Sequence, residues 1–172
     1  MDAEALRELQ APIKRRYRDD PASATVTLRA RSRVGEGVTC QLDTAKAMVE
    51  AGLHPAAGGD GRSACSGDML LQALVACAGV TLAAVATAIG VELRDATVSA
   101  EGDLDFRGTL AVDKQTPVGF QRIRLSFELD SDASAEQLET LTRLTERYCV
   151  VYQTLSSPPE ITVACRTQGT GE

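Results

Sequence analysis

The chain has 172 residues, enough for one domain with a sizeable core, and its charged fraction of 24% is ordinary for a folded soluble protein. A net charge of −6 disfavours nucleic acid as a partner, and an aromatic content of 3% disfavours stacking on bases. The five cysteines are scattered and odd in number, which disfavours a disulfide framework. A zinc site is disfavoured because there is no CxxC pair and only one histidine, and no signal-peptide pattern indicates secretion. We therefore expect a cytoplasmic protein with no cofactor and no metal, folded as one domain over residues 1–172.

The first third of the chain predicts a helix, a hairpin and a second short helix. Residues 1–20 form an expected N-terminal helical extension, because their apolar side chains recur at helical spacing. Period-two alternation then predicts a strand over Ala24–Arg33 with a basic outer face, and a second strand through Cys40 after a Gly-Glu-Gly turn. A short helix is expected over Ala45–Leu53, and a glycine-rich loop follows over His54–Arg62.

The segment from Ser66 to Val91 carries no charge after Asp68 and predicts a helix that is buried on every side. Ser66 is the expected N-cap and Gly90 marks the expected end. Its length would allow a membrane span, but its many alanines and the absence of flanking Lys or Arg favour a soluble core helix. One chain of this size cannot easily cover such a helix, so we expect a second copy of the chain to cover it. Small residues would let two such helices approach closely: Ala73, Ala76, Gly79, Ala83 and Ala84.

The rest of the chain predicts mostly strands and one amphipathic helix. The strands are expected at Val91–Phe106, Thr109–Val112, Phe120–Leu129 and Ile161–Cys165. Ser134 and Gln137 form a capping box that opens a helix running through Tyr152, with Cys149 at the edge of its apolar stripe. Residues 167–172 are expected to fray. Because the strands come in runs, the pattern predicts an α+β fold with antiparallel sheet.

The five cysteines differ in what their positions predict. Cys40 and Cys165 fall on the apolar faces of predicted strands, which indicates packing in the core. Cys65 precedes the long helix, where it is either a reactive thiol or a loop thiol without a role. Cys77 and Cys149 each lie in a predicted helix, and spacing alone leaves both core packing and chemistry open.

Two segments resemble the cysteine motifs of the OsmC/Ohr family. GDMLLQALVACA, from Gly67 to Ala78, resembles the central-helix motif, in which an acidic residue near the helix start precedes a cysteine in an alanine-rich helix. YCVVYQTL, from Tyr148 to Leu155, is similar to the second cysteine motif, and the order of elements agrees over about residues 22–166. The resemblance implies antiparallel sheets wrapped around long central helices in an intertwined homodimer.

Active members of that family reduce hydroperoxides with two thiols and protect cells against oxidative stress. Carried over, the resemblance makes Cys77 the peroxidatic thiolate, Cys149 the resolving thiol, and an external thiol or dithiol the reductant. Arg33 matches the arginine that would lower the pKa of Cys77, and Asp68 stands where the family uses a longer carboxylate. Helix geometry places Asp68 about 13 Å along the axis from Cys77 and on the other side, so it would reach this site only from a partner subunit.

The sequence departs from the family pattern at three points. No proline precedes Asp68, an Asp replaces the usual Glu, and Val150 follows Cys149 where peroxidases of the family often have proline. These departures bear on activity more than on fold. The alternatives are a non-catalytic dimeric binding protein for a small apolar ligand and a purely structural thiol pair. Whether Cys65 or Cys149 would resolve an oxidised Cys77 also stays open.

Overall fold

The structure, a computed structural model, describes the chain over residues 48–110 and 113–166. It also describes the backbone of strands β1 (Arg31–Val34) and β2 (Thr39–Asp43), and six isolated residues among the first twenty. The helical extension predicted at residues 1–20 and the first part of the predicted strand Ala24–Arg33 therefore lie almost wholly outside the described residues. The tail at 167–172 lies wholly outside them.

The first sheet contains four strands in the order β1, β2, β3 (Met48–Gly52) and β4 (Ala64–Cys65). The first three are antiparallel neighbours, with Cys40 opposite both Val34 and Ala51, and β4 runs parallel to β3. The hairpin predicted around Cys40 is confirmed. The helix predicted over Ala45–Leu53 is wrong, because the backbone of β3 pairs along the whole of β2 and cannot also close helical hydrogen bonds.

A single long helix, α1 (Ser66–Ile89), follows β4 directly. Cys65 is its N-cap, with no side-chain hydrogen bond, so the prediction of Ser66 as N-cap is wrong by one residue. Gly90 ends the helix as predicted, in the left-handed conformation (φ 73°) that favours glycine. By length and composition alone, α1 is long and apolar enough to cross a membrane, but one such helix is weak evidence of a membrane span. Within the structure, 22% of the most apolar part of α1 is buried.

The second sheet is an antiparallel pair, β5 (Asp95–Leu104) and β6 (Phe120–Asp130). The predicted strand at Phe120–Leu129 is confirmed, whereas the one expected from Val91 begins only at Asp95, because Val91 lies buried in the connection after α1. The strand predicted at Thr109–Val112 is wrong where the structure describes it, because Phe106–Thr109 forms a helical turn, α2.

Two helices, α3 (Ala135–Tyr148) and α4 (Val150–Ser156), follow the second sheet. The predicted capping box is confirmed, with hydrogen bonds in both directions between Ser134 and Gln137. The continuous helix predicted through Tyr152 is wrong, because the helical backbone is interrupted at Cys149.

The strand predicted at Ile161–Cys165 is also wrong, because no strand of the described part of the chain pairs with that segment. Ile161 and Val163 are 80% and 92% exposed, and Cys165, expected in the core, is exposed as well.

The core lies where α1 crosses the second sheet and α3. Its buried side chains are Leu82, Val85, Ala86, Val91 and Leu141. Apolar residues from the inner faces of β5 and β6, among them Val98, Phe127 and Leu129, pack around them. This mixed helix-and-sheet core fixes α1, which carries Cys77, relative to α3, whose C-terminal end leads to Cys149.

Candidate active site

Cys77 lies at the middle of α1, a helix built mostly from alanine, leucine and valine, with Asp68 in its first turn. Alanine and leucine are strong helix formers, and an acidic residue near the N-terminus favours the helix dipole. The neighbouring side chains of Leu74 and Ala78 are buried, whereas Cys77 itself is only half-buried. The thiol therefore sits at the border between the core and the surface.

Cys149 lies at the joint between α3 and α4 and is both the C-cap of one and the N-cap of the other. Its backbone is extended (φ −73°, ψ 108°), yet its N–H donates to the Thr145 carbonyl and its carbonyl accepts from the Gln153 N–H, each at 2.9 Å. The joint turns the chain without leaving these groups unsatisfied. The side chain is 1% exposed.

The interruption at Cys149 frees the backbone N–H groups of the first turn of α4, which have no helical partner four residues earlier. These amides point to the two thiols. Val150 and Val151 donate to Cys77, and Val151 and Tyr152 donate to Cys149. The two thiols are also hydrogen-bonded to each other. A single short turn of backbone therefore holds both sulfur atoms together.

Hydrogen bonding determines the ionisation of Cys77. Burial is the largest single influence and raises its pKa, but hydrogen bonds from the Val151 N–H, the Cys149 thiol and the Val150 N–H outweigh it and bring the pKa below its ordinary value. The Thr81 hydroxyl also lies beside the sulfur. Its effect on the pKa is the smallest of these, and the same hydroxyl donates a hydrogen bond to the Cys77 carbonyl oxygen at 2.8 Å.

The pKa of Cys149 moves in the opposite direction. Burial raises it most, the Tyr152 N–H lowers it, and the bond to Cys77 together with the charge of the Cys77 thiolate raises it again. Because the two titrations are coupled, Cys77 is the thiol of the pair that loses its proton first, and its thiolate then accepts a hydrogen bond from the neutral Cys149 thiol. Of the two thiols, Cys77 therefore has the lower pKa and Cys149 the higher one.

Of the other candidate residues, Asp68 and Cys65 lie away from the thiol pair in the described part of the chain. Asp68 is exposed in the first turn of α1, beside Leu71 and Gln72. It lies nine residues before Cys77 on the same helix, too far for its carboxylate to contact that thiol. Arg33 lies in β1 opposite Gln41, and its side chain falls outside the described residues. Cys65 stands twelve residues before Cys77, about 18 Å along the helix axis, too far for a direct disulfide.

The amides of α4 could not be predicted from the sequence, since backbone groups carry no sequence signature of their own. One signal was present at Val150, the position where many family peroxidases have proline. Proline favours the first position of a helix, so this family preference indicates a helix start after Cys149. Among the described residues, no group of three or more His, Cys, Asp or Glu side chains could hold a metal ion.

A groove of about 590 Å³ runs along β6, between this strand and residues of α1, α3 and α4, and neither thiol lines it. Its lining includes Leu74, one turn before Cys77, and Tyr152, whose N–H donates to Cys149. Its wall is mainly apolar, with the residues Phe120, Ile123, Leu125, Phe127 and Leu155, and its charged side chains are Arg122, Arg124 and Glu146.

Solved structures share this fold. An OsmC-like protein from Mycoplasma pneumoniae matches with a TM-score of 0.66 and 15% identity, over 77% of this chain and 89% of that one. An organic hydroperoxide resistance protein from Elizabethkingia anophelis matches with 0.63 and 15%, over 78% and 91%. A further organic hydroperoxide resistance protein, from Legionella pneumophila, matches with 0.61 and 16%, over 77% and 90%. At these identities the likeness shows the fold alone.

The sequence itself matches a known family. No curated protein is similar enough in sequence to match the chain. The family model described as OsmC-like protein matches residues 59–164, more than half of the chain, and this range includes both Cys77 and Cys149. The chain belongs to the OsmC-like protein family.

Proposed function

We propose that the protein is a thiol-dependent hydroperoxide reductase that acts on organic or inorganic peroxides in the cytoplasm, with Cys77 as peroxidatic and Cys149 as resolving thiol. One observation carries this proposal: the two thiols are hydrogen-bonded and their pKa values move in opposite directions. A structural pair of thiols needs no such difference, whereas a two-cysteine peroxidase needs one thiolate and one neutral thiol.

The proposed cycle begins with the Cys77 thiolate. It attacks the distal oxygen of the hydroperoxide, the O–O bond breaks, and the leaving alkoxide takes a proton and departs as an alcohol. Cys77 becomes a sulfenic acid. The Cys149 sulfur then attacks the Cys77 sulfur, and the sulfenic oxygen leaves as water while a disulfide forms. Two thiol equivalents of an external reductant return both cysteines to the reduced state.

The remaining parts of the proposal concern the partner subunit. We propose a homodimer in which a second α1 covers the exposed face of the first. Arg33 would supply a cation near the peroxide, and Asp68 could act at a thiol pair only from the partner subunit, since its own helix keeps it away from Cys77.

A thiol titration tests the proposal. One equivalent of cumene hydroperoxide should remove two thiols from the wild type, and in Cys149→Ser should leave a sulfenic acid at Cys77 that dimedone traps. Cys165→Ser, which removes an exposed thiol, is the matched control and should behave as wild type. If Cys77 stays reduced in all three proteins, the enzyme hypothesis is wrong.

The second candidate is a non-catalytic binding protein for a small apolar ligand, favoured by the apolar wall of the groove. Such a protein would bind a neutral compound such as cumyl alcohol at the groove, while hydroperoxide would leave its thiol count unchanged.

A further inference from the structure

Thr81 lies one helical turn after Cys77 on α1, and no step of the proposed cycle uses its hydroxyl. This hydroxyl donates a hydrogen bond to the Cys77 carbonyl oxygen at 2.8 Å and lies beside the Cys77 sulfur. Side chains four residues apart share one face of a helix, which accounts for the contact. Both residues are half-buried, so bulk water reaches this hydroxyl only in part.

The bond from Thr81 to the carbonyl is ordinary for a helical threonine. Thr87 makes the same bond on the same helix, to the Ala83 carbonyl at 2.9 Å. Within a helix the Cys77 carbonyl already accepts the backbone N–H four residues later, so the hydroxyl adds a second bond whose loss leaves the carbonyl satisfied. What sets Thr81 apart is that the residue one turn before it carries a thiol.

The other hydrogen-bond donors to the Cys77 sulfur come from the joint between α3 and α4. They are the Cys149 thiol and the N–H groups of Val150 and Val151. Disulfide formation is a displacement at sulfur, in which the attacking sulfur and the leaving oxygen lie on opposite sides. The oxygen on an oxidised Cys77 therefore points away from Cys149 and the adjoining turn of α4. In the described part of the chain, the donor that remains for this oxygen is the Thr81 hydroxyl on α1.

We propose that Thr81 is a catalytic residue of the resolving step, in which its hydroxyl turns from the Cys77 carbonyl to the oxygen of the Cys77 sulfenic acid. This inference rests on the proposed function, because it concerns the sulfenic acid that peroxide reduction leaves on Cys77. In this step the Cys149 thiol loses its proton, its sulfur bonds to the Cys77 sulfur, and the S–O bond breaks. The departing oxygen takes the electron pair of that bond and a proton, so one water leaves for each disulfide formed. The Thr81 hydrogen bond stabilises the negative charge that develops on this oxygen.

Thr81→Val tests the proposal, because valine has a similar shape and lacks the hydroxyl. With cumene hydroperoxide, sulfenic acid formation should stay within about twofold of wild type, since this hydroxyl has the smallest effect on the pKa of Cys77. Disulfide formation should slow about tenfold, less than for a donor in a fully enclosed oxyanion site, because Thr81 is only half-buried. Rapid acid quenching and mass spectrometry separate the two species, since the disulfide has lost one water relative to the sulfenic acid. Thr81→Ser, which restores a hydroxyl, should recover most of the wild-type rate.

A second measurement uses dimedone in the Cys149→Ser background, where the resolving thiol is absent. Dimedone attacks the Cys77 sulfur and expels the same oxygen, so adding Thr81→Val should slow trapping by a similar factor. A residue that only held Cys149 in place would not change this rate. Thr81→Ala also lacks the hydroxyl and favours the helix, so it should give the same two slowed rates as Thr81→Val.

Thr87→Val is the matched control, because it removes the same kind of hydroxyl-to-carbonyl bond from α1 away from the thiol. It should leave both rates as in wild type. Wild-type rates of disulfide formation and dimedone trapping in Thr81→Val and Thr81→Ala would overturn the inference and leave the proposed function standing. A wild-type protein that loses no thiols to the hydroperoxide would overturn the proposed function, and the inference with it.

Discussion

On the scale of single residues, Cys77 owes its lowered pKa, in the described part of the chain, to hydrogen-bond donors rather than to a cation. Cys149→Ala removes one donor and keeps the amides of Val150 and Val151. We therefore expect the pKa of Cys77 to rise toward its ordinary value. Alkylation of Cys77 by iodoacetamide at about pH 6.5 should slow several-fold, because only the thiolate reacts.

The conservative variant separates this effect from a change in packing. Cys149→Ser keeps a donor of similar size, so its rate–pH profile should lie between those of wild type and Cys149→Ala. Mass spectrometry after limited alkylation assigns the reacting cysteine. A profile for Cys149→Ala identical to that of wild type would contradict the role given to the Cys149 thiol.

Gly102 in β5 gives a prediction about stability. A Cβ atom there would lie 2.4 Å from the Phe120 ring, which also packs near Gly67, so Gly102→Ala forces the ring to move. We expect a loss of about 1–3 kcal/mol in the free energy of unfolding, measured by urea denaturation. Gly79→Ala is the control. Its Cβ would meet Val98 at an ordinary 4.0 Å, so helix propensity should give a gain of up to about 1 kcal/mol.

On the scale of elements, the joint between α3 and α4 controls the site. Val150 is the first residue of α4, where proline is favoured, and Cys149 before it is already extended, as a residue preceding proline should be. Val150→Pro should therefore fold with unchanged or slightly higher stability. It removes one N–H donor from Cys77, so the pKa of Cys77 should rise.

The measurement is again the pH dependence of Cys77 alkylation, read together with the thermal melting temperature. Val150→Ala is the control, because it shortens the side chain and keeps the N–H group. A Val150→Pro protein that melts like the wild type but shows an unshifted alkylation profile would mean that this amide does not act on the thiolate.

The elements that the sequence predicted well are those whose pattern is local. The capping box at Ser134, the stop at Gly90 and the alternation along β6 each determine structure within a few residues. The helix expected at Ala45–Leu53 failed because pairing with β2 overrides weak local propensity. The strand expected at Ile161–Cys165 failed because a strand needs a neighbour, and alternation alone does not supply one in this chain.

The candidate site could be predicted only in part, because it depends on contacts between elements that are distant in the sequence. The two thiols could be named from their helices and motifs, but their mutual contact depends on how α4 turns against α1. Apolar spacing runs unbroken from Leu141 to Tyr152, and the hydrogen bonds on both sides of Cys149 also continue. The apolar pattern therefore does not indicate the interruption, and the only signal for it is the family preference for proline at the position of Val150. The backbone donors that lower the pKa of Cys77 arise from that interruption.

On the scale of the whole molecule, α1 has one face that the described part of the chain leaves open. Val80 is 74% exposed, and the neighbouring positions on that face are small: Ala73, Ala76, Ala83 and Ala84. Gly79, which the sequence analysis placed with them, instead faces Val98 of β5. An exposed apolar stripe of this length on a core helix is typical of a surface that another chain covers.

We expect the protein to be a homodimer in which this stripe packs against a second copy, and Val80→Lys to break it. The small side chains allow close contact between helices, and a lysine at the centre would bury an unpaired charge. Light scattering after size exclusion should show wild type as a dimer and Val80→Lys shifted to monomer, with a dissociation constant at least about 100-fold weaker. Thr97→Lys, which adds the same charge on the exposed face of β5, should stay dimeric.

Because the open face adjoins the half-buried Cys77, the monomer should also lose protection of that thiol against bulky maleimides. A wild-type monomer at micromolar concentration, or a Val80→Lys dimer as tight as wild type, would contradict this assembly.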